Sequence, residues 1–275
     1  MHDLTLATDP RLAPYSRVGD AAWLLRQGLF VAEGRLVVER LMDAKRFAIE
    51  SILLTPAASQ ALAMRLEAVD AEVLVCSPET MKQVTGFNFH RGCLALARRP
   101  AIATIDSWLE RKGVLLALEA VGNPDNVGGL FRTAAAFGAS GIFVSPSTAD
   151  PLYRKALRTS MGAVLQLPWS IAEPWPGALD RLRSHGWRIA ALTPHGDAIS
   201  IERFAAQRLS RVVLLVGAEG AGLTDAALAA ADDRVTIPIA ATVDSLNVTV
   251  AAGIALHALA NGDLVHYPGV RCVVT

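Results

Sequence analysis

The sequence predicts an α/β protein built as two domains. Three observations lead there: a length of 275 residues, which suits two domains better than one; a hydrophobic content of 52%, that of a folded chain; and short β-like runs alternating with helical stretches along the whole chain. In the first half the β-like runs are 29–33, 52–55, 73–76 and 93–97, separated by helical stretches near 36–46, 58–68 and 78–84. This alternation closes near Arg99-Pro100, and 101–112 reads as a connector helix or linker. A small α/β domain is expected over 1–104 and a second domain over 105–275. In the second, the runs 114–120, 141–145, 187–193, 212–217 and 234–239 are near-continuously apolar, as strands are in a parallel sheet covered on both faces. Helices are expected at 127–137, 151–161, 176–185, 224–231 and 246–260, with Asn261-Gly262 as the stop signal of the last.

Charge and cysteine content narrow the classes. The chain carries 26 Lys+Arg and 26 Asp+Glu, divided 12 against 11 over 1–104 and hence 14 against 15 over 105–275. Broad charge-driven attachment to nucleic acid is excluded, and any nucleic-acid contact must come from local patches. The candidates are Arg35, Arg40, Lys45 and Arg46; Arg91, Arg98 and Arg99; and Arg154, Lys155 and Arg158, each equally readable as a solvated helix face. Cys76, Cys93 and Cys272 show no paired spacing and read as reduced structural thiols of a cytoplasmic protein. His90, His195 and His257 lack metal-ligand spacing, so no metal is expected. The longest apolar stretch, near 248–260, is interrupted by Thr249, Gly253 and His257 and falls short of the roughly 20 residues a membrane span needs. The first residues lack the basic-then-apolar pattern of a secretion signal.

Three separated segments carry the chemistry. In 123–139, Pro124 and Asp125 lead into a helix that opens with Gly128 and Gly129, where backbone can approach a ligand. Asn126 stands where an N-cap would, with Arg132 six residues on; the plain alternative is a cap and a surface ion pair. In 214–223 a strand ends at Val216 and turns through Gly217-Ala218-Glu219-Gly220. In 237–253, Ser245-Leu246-Asn247 follows Ile237-Pro238-Ile239 and opens an apolar helix; alone, Ser245 would read as an ordinary cap. All three are loops at the ends of strand-like runs, where open α/β sheets bind ligands.

In this order, with these polar residues, the segments resemble the three motifs of the SpoU/TrmH family of RNA ribose 2′-O-methyltransferases. The runs 30–42 and 89–100 are similar to the substrate-binding domain that precedes the catalytic domain in many members, a module akin to certain ribosomal proteins. The resemblance implies a SPOUT-like C-terminal domain with a trefoil knot, a homodimer, and S-adenosyl-L-methionine as methyl donor. It implies catalytic roles for Asn126, Arg132, Glu219, Ser245 and Asn247, with Ser245 and Asn247 orienting substrate and Arg132, and Glu219 fixing either Asn247 or the ligand pocket. The donor would lie against Val216, Gly217, Ala218, Gly220, Ile237 and Leu246, with Thr193 at the pocket's edge. RNA would meet Arg35 and Arg91 in the first domain and Arg154, Lys155 and Arg158 beside the family-like stretch 158–163. Two positions depart from the family pattern: Ala241 stands for Gly and Thr249 for Ser.

Because the methyl of S-adenosylmethionine is already activated on a sulfonium, neither a metal nor a covalent intermediate is required. Arg132 could then act as the base or as a cation stabilising the alkoxide. Ribosomal RNA is the expected substrate; transfer RNA, or a catalytically silent RNA-binding paralogue, are the alternatives. A dinucleotide-dependent oxidoreductase would need G-x-G-x-x-G after the first strand and an acidic residue about 20 positions on, and no segment fits.

Overall fold

The computed structural model describes residues 2–4, 7–86, 92–101, 103–194 and 197–260. The expected roles of Arg91, His90, His195, Cys272 and the Asn261-Gly262 stop lie outside these residues. The chain forms two compact units, Met1–Ala101 with Asp150–Gln166, and Ile102–Ala149 with Leu167–Thr275. This departs from the expected division in two respects: the boundary falls after Ala101 and not after residue 104, and the segment 150–166, assigned by sequence to the second domain, packs with the first.

The first unit contains β1 (His2–Leu4), α1 (Ala21–Arg26), β2 (Leu29–Glu33), α2 (Arg35–Asp43), β3 (Ile49–Leu54), α3 (Pro56–Leu66), β4 (Glu72–Cys76), α4 (Pro78–Thr85) and β5 (Cys93–Arg98). Its sheet runs β1-β4-β3-β5-β2, with the first three strands parallel and β5 antiparallel to both β3 and β2. Polar punctuation sets its helix starts: the Thr55 and Ser77 hydroxyls accept the Ala58 and Thr80 N–H groups, and Pro56 and Pro78 take the first helical position. Cys76 and Cys93 are buried, free thiols, and burial pushes the Cys93 thiol up to about 12.

The second unit begins with a short 3₁₀ turn, Ile105–Trp108, where sequence suggested a connector. It is part of the core: Ile105 and Trp108 are buried, and the Trp108 ring meets Phe143 edge-on at 5.1 Å. The chain continues through β6 (Gly113–Leu118), α5 (Pro124–Ala136) and β7 (Gly141–Val144). It then contributes α6 (Arg154–Thr159) and α7 (Ala163–Gln166) to the first unit, two short helices where one was expected over 151–161. Back in the second unit follow β8 (Trp169–Ile171), α8 (Gly177–Ser184), β9 (Arg188–Leu192), β10 (Ile199–Ser200), α9 (Ile201–Ala205), β11 (Arg211–Val216), α10 (Asp225–Ala229), β12 (Asp233–Thr236) and α11 (Val248–Ala260). The seven strands form one all-parallel sheet in the order β10-β12-β9-β11-β6-β7-β8. From β6 the chain first moves outward through β7 and β8, then returns on the other side, and β11 enters between β9 and β6. The strand order therefore reverses at β6/β11, the place where parallel sheets leave a crevice beyond their carboxyl ends.

One face of this sheet is closed by α8, α10 and the 3₁₀ turn through Leu179, Leu182, Ala227 and Trp108. The strand residues of opposite parity meet α5 and α11, whose Leu130, Phe131, Ala252 and Leu256 are fully buried. These two helices lie side by side in parallel, joined by a row repeating every four residues. A Cβ on Gly129 would stand 2.9 Å from the Thr249 side chain, one on Gly253 would stand 3.3 Å from Thr133, and Phe137 meets His257 edge-on at 5.6 Å. Small residues at alternate sides of the row bring the two backbones close. Among the described residues, no helix is long and apolar enough to cross a membrane.

Gly129 has little room for substitution, because Thr249 is fixed from behind by the hydrogen bond of its own N–H to Asn247 Oδ1 (2.9 Å). Gly129→Val is expected to lower unfolding stability by about 1–3 kcal/mol, as overpacking does. Adding Thr249→Ala should restore most of the loss in a denaturant titration; failure to restore it would place the strain elsewhere.

Candidate active site

The carboxyl ends of β9, β11 and β12 and the start of α11 surround a cavity of about 700 Å³. Thr193, Val216, Gly217, Ala218, Gly220, Ile237 and Leu246, the seven positions expected to hold the donor, all line it. So do Glu219, Ser245 and Asn247. The loop after β11 supplies much of the wall and folds back on itself: the Gly222 N–H donates to Ala218 O (2.9 Å). A Cβ on Gly217 would overlap the Gly222 carbonyl, so this crossing tolerates only glycine there. Gly220 and Gly222 adopt φ of 82° and 70°, a left-handed backbone that other residues resist.

Asn126, Glu219 and Asn247 come from the three separate segments and meet in one cluster. Asn247 Nδ2 donates to Glu219 Oε1 (2.8 Å) and to Asn126 Oδ1 (3.2 Å). Its other end is fixed by the helix it precedes, since Oδ1 accepts the Thr249 N–H and the backbone carbonyl accepts the Ala251 N–H (3.0 Å). The backbone donor at Oδ1 leaves only one chemically sensible orientation of the amide, with the NH₂ toward Glu219 and Asn126. The cluster sits at the N-terminal ends of both α5 and α11, where helix dipoles favour negative charge.

The plain alternative reading, a helix cap, holds for neither Asn126 nor Ser245. Asn126 does not cap α5; Asn123 does, its Oδ1 accepting the Asp125 N–H (3.0 Å), with Pro124 at the first helical position. One turn in, Asn126 is buried and free to bond Asn247, so the sequence signal for a cap was real but lay three residues earlier. Ser245 does not cap α11 either, since the helix begins at Val248 and the Asn247 side chain accepts the N–H of its second residue, Thr249. Arg132 is exposed on α5, does not line the cavity, and makes no ion pair among the described residues. The departures at Thr249 and Ala241 fall differently: Thr249 lies in the α5–α11 row, and Ala241 is exposed.

Sequence reading did not single out Arg234 and Asp244, which also line the cavity, or Glu119. Glu119 directly follows β6 and is only 3% exposed, and its carboxylate accepts hydrogen bonds from Trp175 and Thr224. The signal available was a single acid directly after the buried end of an apolar strand, a place where charge needs partners.

The expected RNA-binding cations divide. Arg40 Nη1 donates to Met161 O (2.7 Å), Arg46 Nη2 to Val164 O (3.1 Å), and Arg99 pairs with Asp150 while its Nε donates to Leu29 O (3.1 Å). These three hold the segment 150–166 within the first unit. Arg98 pairs with Glu50 at 2.5 Å. Arg154 and Arg158 share Glu33, each at 3.5 Å; Lys155 and Arg158 are exposed, and Arg35 stands near Glu39 at 3.8 Å. All of these groups belong to the first unit.

Fold and site together define an α/β protein that takes its ligand beyond the ends of a parallel sheet, against glycine-rich backbone and an amide–carboxylate cluster. The profile described as the SpoU rRNA methylase family matches residues 113–257. A relative from Mycobacterium bovis, named an uncharacterized tRNA/rRNA methyltransferase, is 40% identical over 84% of this chain and 80% of its own. The solved structure of an AdoMet-bound rRNA methyltransferase from Sinorhizobium meliloti is similar with a TM-score of 0.81 at 25% identity, covering 94% of this chain and 97% of that one. An RNA 2′-O ribose methyltransferase structure is similar with a TM-score of 0.75 at 28% identity, covering 96% and 100%. The chain belongs to the SpoU rRNA methylase family.

If the Asn247 amide orders the cluster, its replacements should rank. Asn247→Ala is expected to reduce stability by about 1 kcal/mol, the worth of its net hydrogen bonding. Asn247→Asp should cost more at pH 7, because it turns a donor into a second carboxylate against Glu219. Equal midpoints for the two variants in urea would show that the Glu219 contact does not organise the site.

Proposed function

We propose that the protein transfers a methyl group from S-adenosyl-L-methionine to a ribose 2′-hydroxyl of RNA, and that this RNA is ribosomal. The observation that carries the reading is the Asn126–Asn247–Glu219 cluster at the edge of a cavity walled by glycine-loop backbone. The residues present fit such a donor. A cavity of about 700 Å³ is of cofactor size, Leu192, Ile237 and Leu246 give apolar walls for a purine, and the Gly217–Gly222 backbone gives polar groups for a ribose and an amino acid. Glu219 and Asp244 bring negative charge toward a sulfonium. Family membership, the AdoMet-bound relative and the 2′-O ribose methyltransferase of like fold support the donor and the acceptor atom.

When bound, S-adenosylmethionine supplies a methyl group already activated for displacement by oxygen. The protein has then to align the hydroxyl and manage its proton. Asn247 and Glu219 fix the cavity edge, and Asn126 ties α5 to it. Arg132, exposed six residues beyond Asn126, is open to a ribose arriving from solvent. A guanidinium keeps its proton in proteins, so Arg132 serves as the cation beside the forming alkoxide, and the substrate phosphate or water takes the proton.

Arg132→Ala is expected to lower turnover by about 100-fold or more, the usual loss on removing one oxyanion donor, with donor affinity within about twofold of wild type. Arg132→Lys should retain measurable activity that changes little with pH. A steep alkaline rise in the lysine variant would make position 132 the base instead, and full activity in Arg132→Ala would remove it from catalysis.

The trefoil knot, the homodimer and the cytoplasmic setting belong to the same proposal. The insertion of β11 between β9 and β6 is consistent with the first. For the second, Val248, Ala252 and Leu256 are buried in the chain's own core, while Val250 (51% exposed) and Ile254 (39%) leave an apolar face on α11. Sedimentation at micromolar concentration tests it, and a monomer would overturn it. The substrate is tested by mapping 2′-O-methyl groups in RNA from cells with and without the gene. Loss at a ribosomal position supports the proposal, and loss in transfer RNA favours the alternative. No loss, with donor binding intact, favours a silent paralogue.

For the RNA surface the proposal retains Arg35, Arg91, Arg154, Lys155 and Arg158. Replacing one phosphate-binding cation should weaken every RNA alike and reduce the salt slope by about one. Arg158→Ala is expected to behave so, with donor affinity unchanged in calorimetry. An unaltered slope across a salt series would move RNA recognition elsewhere.

A further inference from the structure

Glu119 takes no part in the chemistry above, yet it holds both ends of the loop that walls the cavity. Its backbone N–H donates to Val216 O (2.9 Å), at the loop's entry. Its side chain holds the exit: Oε2 accepts the Thr224 N–H (2.8 Å) and Oε1 accepts the Thr224 hydroxyl (2.8 Å). Between Val216 and Thr224 lie Gly217–Leu223, all of which line the cavity and which include Glu219. Oε1 also accepts the Trp175 indole N–H (2.7 Å), so three donors meet one buried carboxylate. Thr224 in turn caps α10, its Oγ1 accepting the Ala227 N–H (3.2 Å), so the loop's exit is anchored to a helix as well as to Glu119.

The strand side is equally fixed. Ala120, directly after Glu119, has a φ of 53°, unusual for a residue with a Cβ, and its N–H donates to Ser145 Oγ (2.9 Å). The buried charge has to be matched by hydrogen bonds wherever it sits. Here two of the three side-chain bonds go to the one residue that ends the loop. Charge-assisted bonds of this kind are short and directional, and hold geometry better than neutral ones.

We propose that Glu119 is the positioning residue of the donor loop: it sets the span from Val216 to Thr224, and so the placement of the loop backbone and of Glu219 against the ligand. This rests on reading the cavity as the S-adenosylmethionine site. The test compares Glu119→Gln, Thr224→Val and Trp175→Phe. Glutamine keeps the size of glutamate but offers an NH₂ where a donor already stands.

Glu119→Gln is expected to weaken S-adenosyl-L-homocysteine binding about tenfold, and to raise the KM for donor similarly with kcat little changed, the pattern of lost ground-state binding. Amide hydrogen exchange should quicken in 217–223 and stay unchanged in β6 and β11, a local opening and not a global one. Thr224→Val, which removes the hydroxyl bond to Glu119, should move both readouts in the same direction, and the double variant should lose less than the sum of the single losses, because the two substitutions share that bond. Trp175→Phe, which removes a bond that does not reach the loop, should bind within about twofold of wild type. Wild-type affinity and loop exchange in Glu119→Gln would overturn the proposal, as would a Trp175→Phe effect equal to that of Glu119→Gln. Should Glu119→Gln fail to fold, Thr224→Val decides by the same readouts. If the wild-type protein binds neither S-adenosylmethionine nor S-adenosylhomocysteine, the donor reading fails, while the exchange comparison still decides whether Glu119 positions the loop.

Discussion

The contact row between α5 and α11 is the constraint on which the site depends. Gly129 against Thr249, Thr133 against Gly253 and Phe137 against His257 set the two helices in parallel and in one register. That register is what brings Asn126 opposite Asn247, from segments 121 residues apart in sequence. A shift of one residue along either helix would turn each side chain by about 100° and break the amide pair. Packing and polar geometry are thus one specification. The parallel arrangement also gathers two helix N-termini at the same end as the strand carboxyl ends, so the surroundings of the cluster carry partial positive charge from two sources.

Much of this was legible in the chain. The apolar strands of the second sheet were found because strands buried on both faces read as unbroken runs of Val, Leu and Ala, and β2 was placed at its observed bounds. The short edge strands β8 and β10 were not, for runs of three and two residues leave no periodicity to detect. The helices expected near 58–68 and 78–84 exist, but their caps, Thr55 and Ser77, emerge only in the structure, as does Asn123, which caps α5 three residues before the position that sequence alone suggested. The polar cluster was expected from three loops together, but its pairwise bonds depend on helix register, which pattern alone does not set. Glu119 escaped notice because its meaning lies in partners 56 and 105 residues away.

The arginines show the same limit from the other side. A cationic patch in sequence does not reveal whether each charge faces solvent or a carbonyl. Arg40 and Arg46 end on backbone carbonyls of the segment after α5 and β7, and Arg99 ends on Asp150. Arg154 and Arg158 both reach Glu33, whose carboxylate occupies the position relative to them that a phosphate could take. The charges that look alike in sequence thus separate into internal fasteners and surface groups.

The excursion of the chain at 150–166 has a topological consequence. The polypeptide passes between the two units three times, after Ala101, after Ala149 and after Gln166. No single peptide cleavage can therefore release one unit from the other, and a fragment beginning near Ser107 would carry Ala156, Leu157, Val164 and Leu165 stripped of the neighbours that bury them. The accessory unit is not a detachable module added to the front of an enzyme. Cutting away residues 1–101 would leave the apolar side chains of 150–166 bare on whatever remains.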